Sequence, residues 1–224
     1  MRDQIIADAL AATPWAGWSK SAITGDASTR RYFRLTRNEL PAVIAMDDPA
    51  CATKSFADIA HFLTNAGFSA PDILHHDPTI GFMIIRDLGR TDFAAHLRTA
   101  PQDEATLYRT ATDILCNLHH QKTKIPLGVI DQSSAAGMID LAASHYAPDP
   151  QCKDDLLAAM DAAYANNVDP APHIALRDFH AENLIWRPHR RGQDRVGLLD
   201  FQDACYAPAG YDLMSLLRDA RRDI

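Results

Sequence analysis

The sequence is poor in cysteine and has no long apolar run. Its four cysteines, Cys51, Cys116, Cys152 and Cys205, lie far apart in a chain of 224 residues, and their spacing excludes both a zinc-ligand pattern and a CxxC redox pair. We therefore expect four reduced thiols. Without about 18 consecutive apolar residues the sequence predicts no membrane-spanning helix, and its first residues lack the apolar core of a secretory signal. We predict a cytoplasmic protein.

An excess of basic residues is also missing. The chain has 22 Lys and Arg against 29 Asp and Glu, which gives a formal net charge of −7 at pH 7. Proteins that bind nucleic acid or an anionic membrane need a basic surface, so we expect neither partner. The 47% hydrophobic and 23% charged residues are close to the averages of globular proteins, which excludes a disordered, collagen-like or coiled-coil chain.

Short β-rich runs and one helix dominate the first part of the chain. Residues 18–24, 31–36, 42–46 and 81–85 have the composition of strands. Between the last two runs, apolar residues recur at helical spacing over residues 56–66, and Gly67 follows at the position of a helix C-cap. We predict a first domain over residues 1–88 that contains a five-stranded antiparallel sheet and one helix.

Beyond residue 89 the pattern becomes mainly helical. Alanine- and leucine-rich segments at residues 94–97, 104–119, 134–146 and 154–166 favour helices. Short β-like runs at residues 173–176, 183–186 and 195–199 interrupt this part of the chain. We predict an α+β protein with two lobes, in which a mainly helical second domain covers residues 89–224.

A polar loop between these β-like runs carries the residues that indicate chemistry. Asp178 and Asn183 are five residues apart on the loop, and Asp200 follows a short apolar run. Phosphoryl transfer needs a carboxylate that orients and deprotonates the attacking hydroxyl, together with oxygen ligands for Mg²⁺. We interpret Asp178 as the catalytic base and Asn183 and Asp200 as Mg²⁺ ligands. The alternative is a turn that Asp178 and Asn183 merely cap.

With these residues the chain resembles the aminoglycoside phosphotransferase and choline kinase superfamily, which has a protein-kinase-like fold. The segments at residues 25–35 and 199–204 look most like bacterial kinases that phosphorylate N-acetylmuramate and N-acetylglucosamine at the anomeric hydroxyl during cell-wall recycling. The resemblance implies an ATP- and Mg²⁺-dependent kinase. It gives Asp212 the role of a buried aspartate that stabilises the catalytic loop, and it makes His180, Glu182 and Asp203 candidates for contact with the substrate.

The nucleotide site is predicted from a segment of small and polar residues between two strand candidates. Its members are Gly25, Asp26, Ala27, Ser28 and Thr29. Their backbone N–H groups could approach the phosphates of ATP. A plain hairpin has the same composition, so both interpretations stay open.

Three arginines follow this segment. Because side chains alternate along a strand, Arg30 and Arg34 are expected on one face of the sheet and Arg31 on the other, so all three cannot bind one phosphate. Arg30 is the arginine that we assign to the nucleotide site. By resemblance, the hinge that contacts adenine consists of Arg86, Asp87 and Leu88; the alternative is a turn that ends the strand.

The sequence departs from the superfamily at two positions. The lysine that usually contacts the phosphates would fall near Met46, and its usual glutamate partner would fall near Phe56. Losing both is physically coherent, because a single buried charge left without its partner is costly. Either the arginines and Mg²⁺ neutralise the phosphates, or catalysis is impaired.

We expect a kinase of small molecules, with an N-acetylated amino sugar as the favoured acceptor. An aminoglycoside, choline or homoserine kinase is the alternative within the same class, and a nucleotide-binding pseudokinase or interaction module is the alternative from another class. The chain ends inside an amphipathic helix that begins near Tyr211. We therefore expect a truncated second lobe, with exposed apolar surface around Leu213, Leu216 and Leu217.

Overall fold

The computed structural model describes residues 1–23, 29–146, 150–167, 172–219 and 221–222. The part before residue 100 contains helices α1 (Arg2–Ala11), α2 (Thr53–Asn65) and α3 (Phe93–Thr99) and strands β1 (Ser19–Ile23), β2 (Arg31–Thr36), β3 (Val43–Asp47), β4 (Ile73–Asp77) and β5 (Phe82–Arg86). After these come α4 (Glu104–His119), β6 (Gly128–Val129), α5 (Gln132–Tyr146), α6 (Pro150–Asn167), β7 (His173–Ala175), β8 (Leu184–Trp186), β9 (Val196–Leu198), β10 (Cys205–Ala207) and α7 (Tyr211–Leu217).

The first five strands form one antiparallel sheet in the order β1-β2-β3-β5-β4. This confirms the predicted α+β class and the five-stranded sheet, in which β1, β2 and β3 are neighbours in chain order. Strand β4 was not predicted. Its last residues, His75, His76 and Asp77, are all half-buried and polar, so no alternation of apolar and polar side chains marks the strand.

One face of this sheet packs against α1. Ile6 of the helix joins a buried apolar cluster that comprises Leu35, Val43, Ala45, Phe82 and Ile84. Arg2 fixes the same helix to the sheet, because its Nε donates a hydrogen bond of 2.8 Å to the buried carboxylate of Asp47. Helix α1 was not predicted from the sequence, since its apolar residues, Ile5, Ile6 and Leu10 with three alanines, form only a weak apolar stripe.

The opposite face carries Tyr32, Ile44 and Met46, because side chains alternate along each strand. Met46, the position expected for a lysine, is fully buried. Helix α2 is amphipathic as predicted, with Phe56, Ile59 and Leu63 among its buried residues. It ends before Gly67, whose φ of +85° belongs to the left-handed region that glycine adopts easily.

The second part of the chain is mainly helical, as predicted, and α4 has the predicted bounds. Two small sheets accompany the helices: β8 pairs with β9, and β10 lies between β6 and β7. Strands β6 and β10 were not predicted, because two or three residues are too few to show a pattern. Within the described ranges no helix is long and apolar enough to cross a membrane, and none of the four cysteines forms a disulfide there.

The prediction of exposed apolar surface on α7 holds for only one of its three residues. Leu217 is 42% exposed, but Leu213 is half-buried and Leu216 is fully buried. Leu216 lies four residues after the buried Asp212, and residues at this spacing share a face of a helix. Leu216 therefore belongs to the inner face of α7.

Residue contacts divide the chain into two compact units that alternate along the sequence. The first comprises Met1–Ile114 and Ala181–Asp203, and the second comprises Leu115–His180 and Ala204–Ile224. The β8–β9 hairpin therefore belongs to the same unit as the five-stranded sheet. The division into lobes after residue 88 stays a prediction.

Candidate active site

The polar loop after β7 is anchored by buried apolar residues on both sides of Asp178. Leu176 is 2% exposed and Phe179 is 1% exposed, whereas Asp178 itself is half-buried. Arg177 has a φ of 72°, which is uncommon for a residue with a side chain. The N–H of His180 donates a hydrogen bond of 3.1 Å to the carbonyl of Asp178. The backbone therefore turns sharply around the predicted base.

Asp212, in the first turn of α7, holds this loop from within the second unit. Its side chain is buried, and its carboxylate accepts hydrogen bonds from the N–H of Leu176 at 2.6 Å and from the N–H of Arg177 at 3.0 Å. Burial raises the pKa of Asp212 to about 6, although the two N–H donors oppose the rise and the charge of Asp178 adds to it. These contacts are those that the predicted loop-stabilising role requires.

Asn183 and Asp200 lie at the same end of the β8–β9 hairpin. The antiparallel register pairs Leu184 with Leu198, and the N–H of Leu199 donates a hydrogen bond of 3.0 Å to the carbonyl of Asn183. Asn183 directly precedes β8 and Asp200 follows the end of β9. The hairpin therefore brings both predicted Mg²⁺ ligands to one edge of the first unit.

Asp200 is exposed and has a φ of 57°, a conformation that aspartate tolerates better than most residues. The side-chain amide of Gln202 donates to the carboxylate of Asp200 at 2.9 Å and to that of Asp203 at 3.3 Å. One buried glutamine therefore holds two neighbouring carboxylates. Gln202 was not predicted as a site residue, because its contacts with Asp200 and Asp203 depend on a backbone turn that the residue types do not reveal.

The segment that contains Asp200 is attached to the start of α2. The hydroxyl of Ser55 donates a hydrogen bond of 2.6 Å to the carbonyl of Gln202. The rings of Phe56 and Phe201 stack with centroids 4.9 Å apart and planes inclined by 29°. At the position where the superfamily was expected to have a glutamate, this chain therefore uses an aromatic contact to the segment after Asp200.

The predicted phosphate loop is only partly described. Residues 25–28, which include Gly25, Asp26, Ala27 and Ser28, lie outside the described residues, and Thr29 is exposed. Arg30 is half-buried, and its Nε donates a hydrogen bond of 3.1 Å to Oδ2 of Asp48. Burial lowers the pKa of Arg30, but the hydrogen bond to Asp48 and the charge of Asp203 raise it, and the net shift is upward.

The predicted hinge residues take part in two ion pairs. Arg86 ends β5 and its Nε donates to the carboxylate of Asp72 at 2.6 Å. Asp87 accepts a bond of 2.6 Å from Nε of Arg34 and one of 2.9 Å from the N–H of Gly89. Leu88 lies against Gly197 of β9, where an added Cβ would come within 2.9 Å of its side chain.

The candidate substrate residues differ in exposure. His180 is buried, at 6% exposure, whereas Glu182 and Asp203 are exposed. The division between the two units falls after His180. Asn183 and Asp200 are thus together in the first unit, and Asp178 and Asp212 are together in the second.

Comparison with protein families matches residues 21–224 to the phosphotransferase enzyme family. The N-acetylmuramate/N-acetylglucosamine kinase of Caulobacter vibrioides is 34% identical, with 96% of this chain and 71% of the kinase covered. The kinase of the same name from Neisseria meningitidis serogroup B is 30% identical, with 87% of this chain and 60% of the kinase covered. This chain is therefore shorter than both relatives.

Solved structures of low sequence identity share the fold. A choline/ethanolamine kinase family protein from Mesorhizobium loti has a TM-score of 0.66 at 19% identity, covering 100% of this chain and 72% of the other. The GDP complex of wild-type aminoglycoside 2′-phosphotransferase-IIIa has a TM-score of 0.70 at 13% identity, covering 97% of this chain and 78% of the other. The predicted kinase-like fold is confirmed by these neighbours.

Proposed function

The chain belongs to the phosphotransferase enzyme family, and we propose that it transfers the γ-phosphoryl group of ATP to a hydroxyl of N-acetylmuramate or N-acetylglucosamine. The observation that carries this proposal is the 34% identity to the Caulobacter kinase over 96% of the chain. From the resemblance we propose further that the acceptor oxygen is the one on the anomeric carbon and that the reaction belongs to cell-wall recycling. The two sugars share an N-acetyl group, so recognition of that group would account for activity on both.

In this proposal Asp178 orients the sugar hydroxyl and accepts its proton as the oxygen attacks the γ-phosphorus. A carboxylate suits this role because it is charged near neutral pH and can accept the proton of a hydroxyl that lies within hydrogen-bond distance. The two hydrogen bonds from Leu176 and Arg177 to Asp212 fix the backbone directly before Asp178. Asp212 is thus a positioning residue, and His180, Glu182 and Asp203 stay candidates for contact with the acceptor.

Asn183 and Asp200 supply the donor atoms that Mg²⁺ prefers, one amide oxygen and one carboxylate. Two protein ligands would suffice, because Mg²⁺ usually keeps several waters and also binds substrate phosphates. The shared position of both residues at one end of the β8–β9 hairpin supports this assignment. When bound, Mg²⁺ neutralises charge on the β- and γ-phosphates.

The test is ADP release from Mg·ATP by the whole chain with N-acetylmuramate, N-acetylglucosamine, an aminoglycoside or choline as acceptor. We expect turnover with the two amino sugars. Turnover with the aminoglycoside or choline alone would replace the proposed acceptor. Stabilisation by Mg·ATP without turnover on any acceptor would favour the nucleotide-binding pseudokinase. Binding at a hundredfold excess over Kd stabilises a protein by about 2.7 kcal/mol, which a thermal-shift titration detects.

The substitution Asp178→Asn tests the assigned base. We expect kcat to fall by about 10²- to 10⁴-fold, with little change in the Kd for Mg·ATP, because the amide keeps the shape and removes the proton acceptor. Asp58→Asn is the matched control, since Asp58 pairs with the exposed Lys54 on α2. A kcat of Asp178→Asn equal to that of the control would contradict the assignment.

A further inference from the structure

A kinase that binds ATP needs a cation at its phosphates, and the usual position in this chain has none. In protein kinases a lysine of the third strand contacts the phosphates and pairs with a glutamate of the following helix. Here Met46 and Phe56 occupy those positions, and both are buried. Phe56 stacks on Phe201, so this position is filled by an apolar contact. If the chain is the kinase proposed above, another group must supply the positive charge at the ATP phosphates.

Two of the three arginines near β2 have structural partners away from this position. Arg31 lies on the face that packs against α1, and its Nε donates to the buried carboxylate of Asp47 at 2.8 Å. Arg34 lies at the other end of β2, where it contacts the carboxylate of Asp87 and donates to the carbonyl of Gly89 at 3.1 Å. Both arginines therefore have partners at other places than the usual lysine position.

Arg30 is differently placed. It directly precedes β2, in which Tyr32 is paired with Met46. Residues two apart on a strand share a face and lie about 7 Å apart. Arg30 is therefore on the same face of the sheet as Tyr32 and Met46, and Met46 is at the position where a lysine is usual. The charge of Asp203 raises the pKa of Arg30, after the larger effects of burial, Asp48 and Tyr32. Arg30 therefore lies within electrostatic range of the segment that follows Asp200.

Asp48 is held firmly enough to orient this arginine. Its side chain is 2% exposed, its Oδ1 accepts a hydrogen bond of 3.0 Å from the N–H of Ala50, and its own N–H donates to the carbonyl of Gly81 at 2.8 Å. Gly81 is required at this contact, because a Cβ there would lie 2.0 Å from the carbonyl oxygen of Asp48. The partner of Arg30 is thus fixed by the turn before β5.

We propose that Arg30, oriented by Asp48, is the cation that binds the nucleotide phosphates in this chain. The Lys–Glu pair between a strand and a helix is replaced by an Arg–Asp pair between the start of β2 and the end of β3. A guanidinium can keep a carboxylate partner and still offer further N–H donors to phosphate oxygens, which an ammonium does less well. In this proposal the Arg–Asp pair takes over the role of the lysine and glutamate that the chain lacks.

The experiment is isothermal titration of the whole chain with Mg·ATP, ADP and adenosine. For Arg30→Ala we expect the Kd for Mg·ATP to rise about ten- to a hundredfold, the loss typical of a hydrogen bond to a charged group. The Kd for adenosine should stay unchanged, because adenosine has no phosphate. Arg30→Lys keeps the charge and should lose less affinity than Arg30→Ala.

Arg31→Ala is the matched control, since it removes a neighbouring arginine that pairs on the opposite face. It should lower the melting temperature and leave the Kd for Mg·ATP unchanged. Equal losses of ATP and adenosine affinity in Arg30→Ala, or a Kd equal to that of the wild type, would overturn the proposal. If the wild type itself did not bind Mg·ATP, the proposed kinase function would fail instead, so the two failures are distinguishable.

Discussion

At the scale of single residues, Asp212 combines two opposing effects. Burial disfavours its carboxylate, whereas two backbone N–H donors favour it. The net pKa of about 6 exceeds the ordinary value of 3.8, so removal of this carboxylate from water outweighs the two hydrogen bonds. The same carboxylate binds the N–H of Arg177 and so stabilises the left-handed conformation of this residue. That conformation is unfavourable by about 1–2 kcal/mol for a residue with a side chain.

This raised pKa predicts a pH dependence of stability. Between pH 4 and 6 the folded chain keeps the proton of Asp212 while the unfolded chain loses it, so the free energy of unfolding falls as the pH rises through this window. A difference of about two pKa units corresponds to about 3 kcal/mol. Urea unfolding at several pH values should therefore show the wild type losing stability relative to Asp212→Asn, whose side chain does not titrate. Parallel pH profiles of the two proteins would contradict the buried, protonated Asp212.

At the same scale, residue types and their spacing predicted Asp178, Asn183 and Asp200, and the family resemblance predicted Asp212. The contacts made by Gln202, Ser55 and Asp48 could not be predicted in the same way. Each joins segments that are distant in sequence or depends on a local turn, and their residue types are common on protein surfaces. The sequence therefore predicts which residues carry the chemistry, and the fold shows which contacts hold their segments in place.

At the scale of secondary-structure elements, α2 connects the sheet region to the segment after Asp200. The stacking of Phe56 on Phe201 and the hydrogen bond from Ser55 to Gln202 act at adjacent residues of both segments. The elements found from sequence, such as α2 and α4, have repeated apolar positions. Helix α1 has only a weak apolar stripe, and the last three residues of β4 are polar, so neither element shows this repetition.

A double-mutant cycle measures the contact between α2 and this segment. Phe56→Leu and Phe201→Leu each keep an apolar side chain, and both wild-type rings are buried. We expect the effects on the free energy of unfolding to be non-additive by about 0.5–1.5 kcal/mol, the coupling typical of an aromatic pair. Phe56→Leu with Phe93→Leu is the control cycle, since Phe93 contacts Trp186 instead. Additive effects in the first cycle would show that the two rings do not interact.

At the scale of the whole molecule, the chain leaves its first unit within α4 and returns to it at Ala181. The returning segment brings six apolar side chains that are at most 9% exposed: Leu184, Ile185, Trp186, Val196, Leu198 and Phe201. Burying each contributes about 1.5–3 kcal/mol. Their sum, about 9–18 kcal/mol before the entropy cost of ordering the segment, is as large as the net stability of a typical domain, which is about 5–15 kcal/mol. The first unit is therefore not expected to fold without this segment.

A fragment of residues 1–120, which keeps α4 whole, tests this organisation. Alone it should show no cooperative thermal unfolding by circular dichroism and should bind a hydrophobic dye, because Phe56, Phe93 and Ser69 lose partners on residues 181–203. The same fragment joined through a flexible Gly/Ser linker to residues 181–203 should regain a cooperative transition, since the linker permits the segment to pair without adding contacts of its own.

Equal transitions in both fragments would mean that the sheet and α2 form an independent domain. The candidate Mg²⁺ ligands would then sit on a segment that docks onto a preformed lobe. Failure of the fragment alone would mean that folding of the lobe and placement of Asn183 and Asp200 are one event.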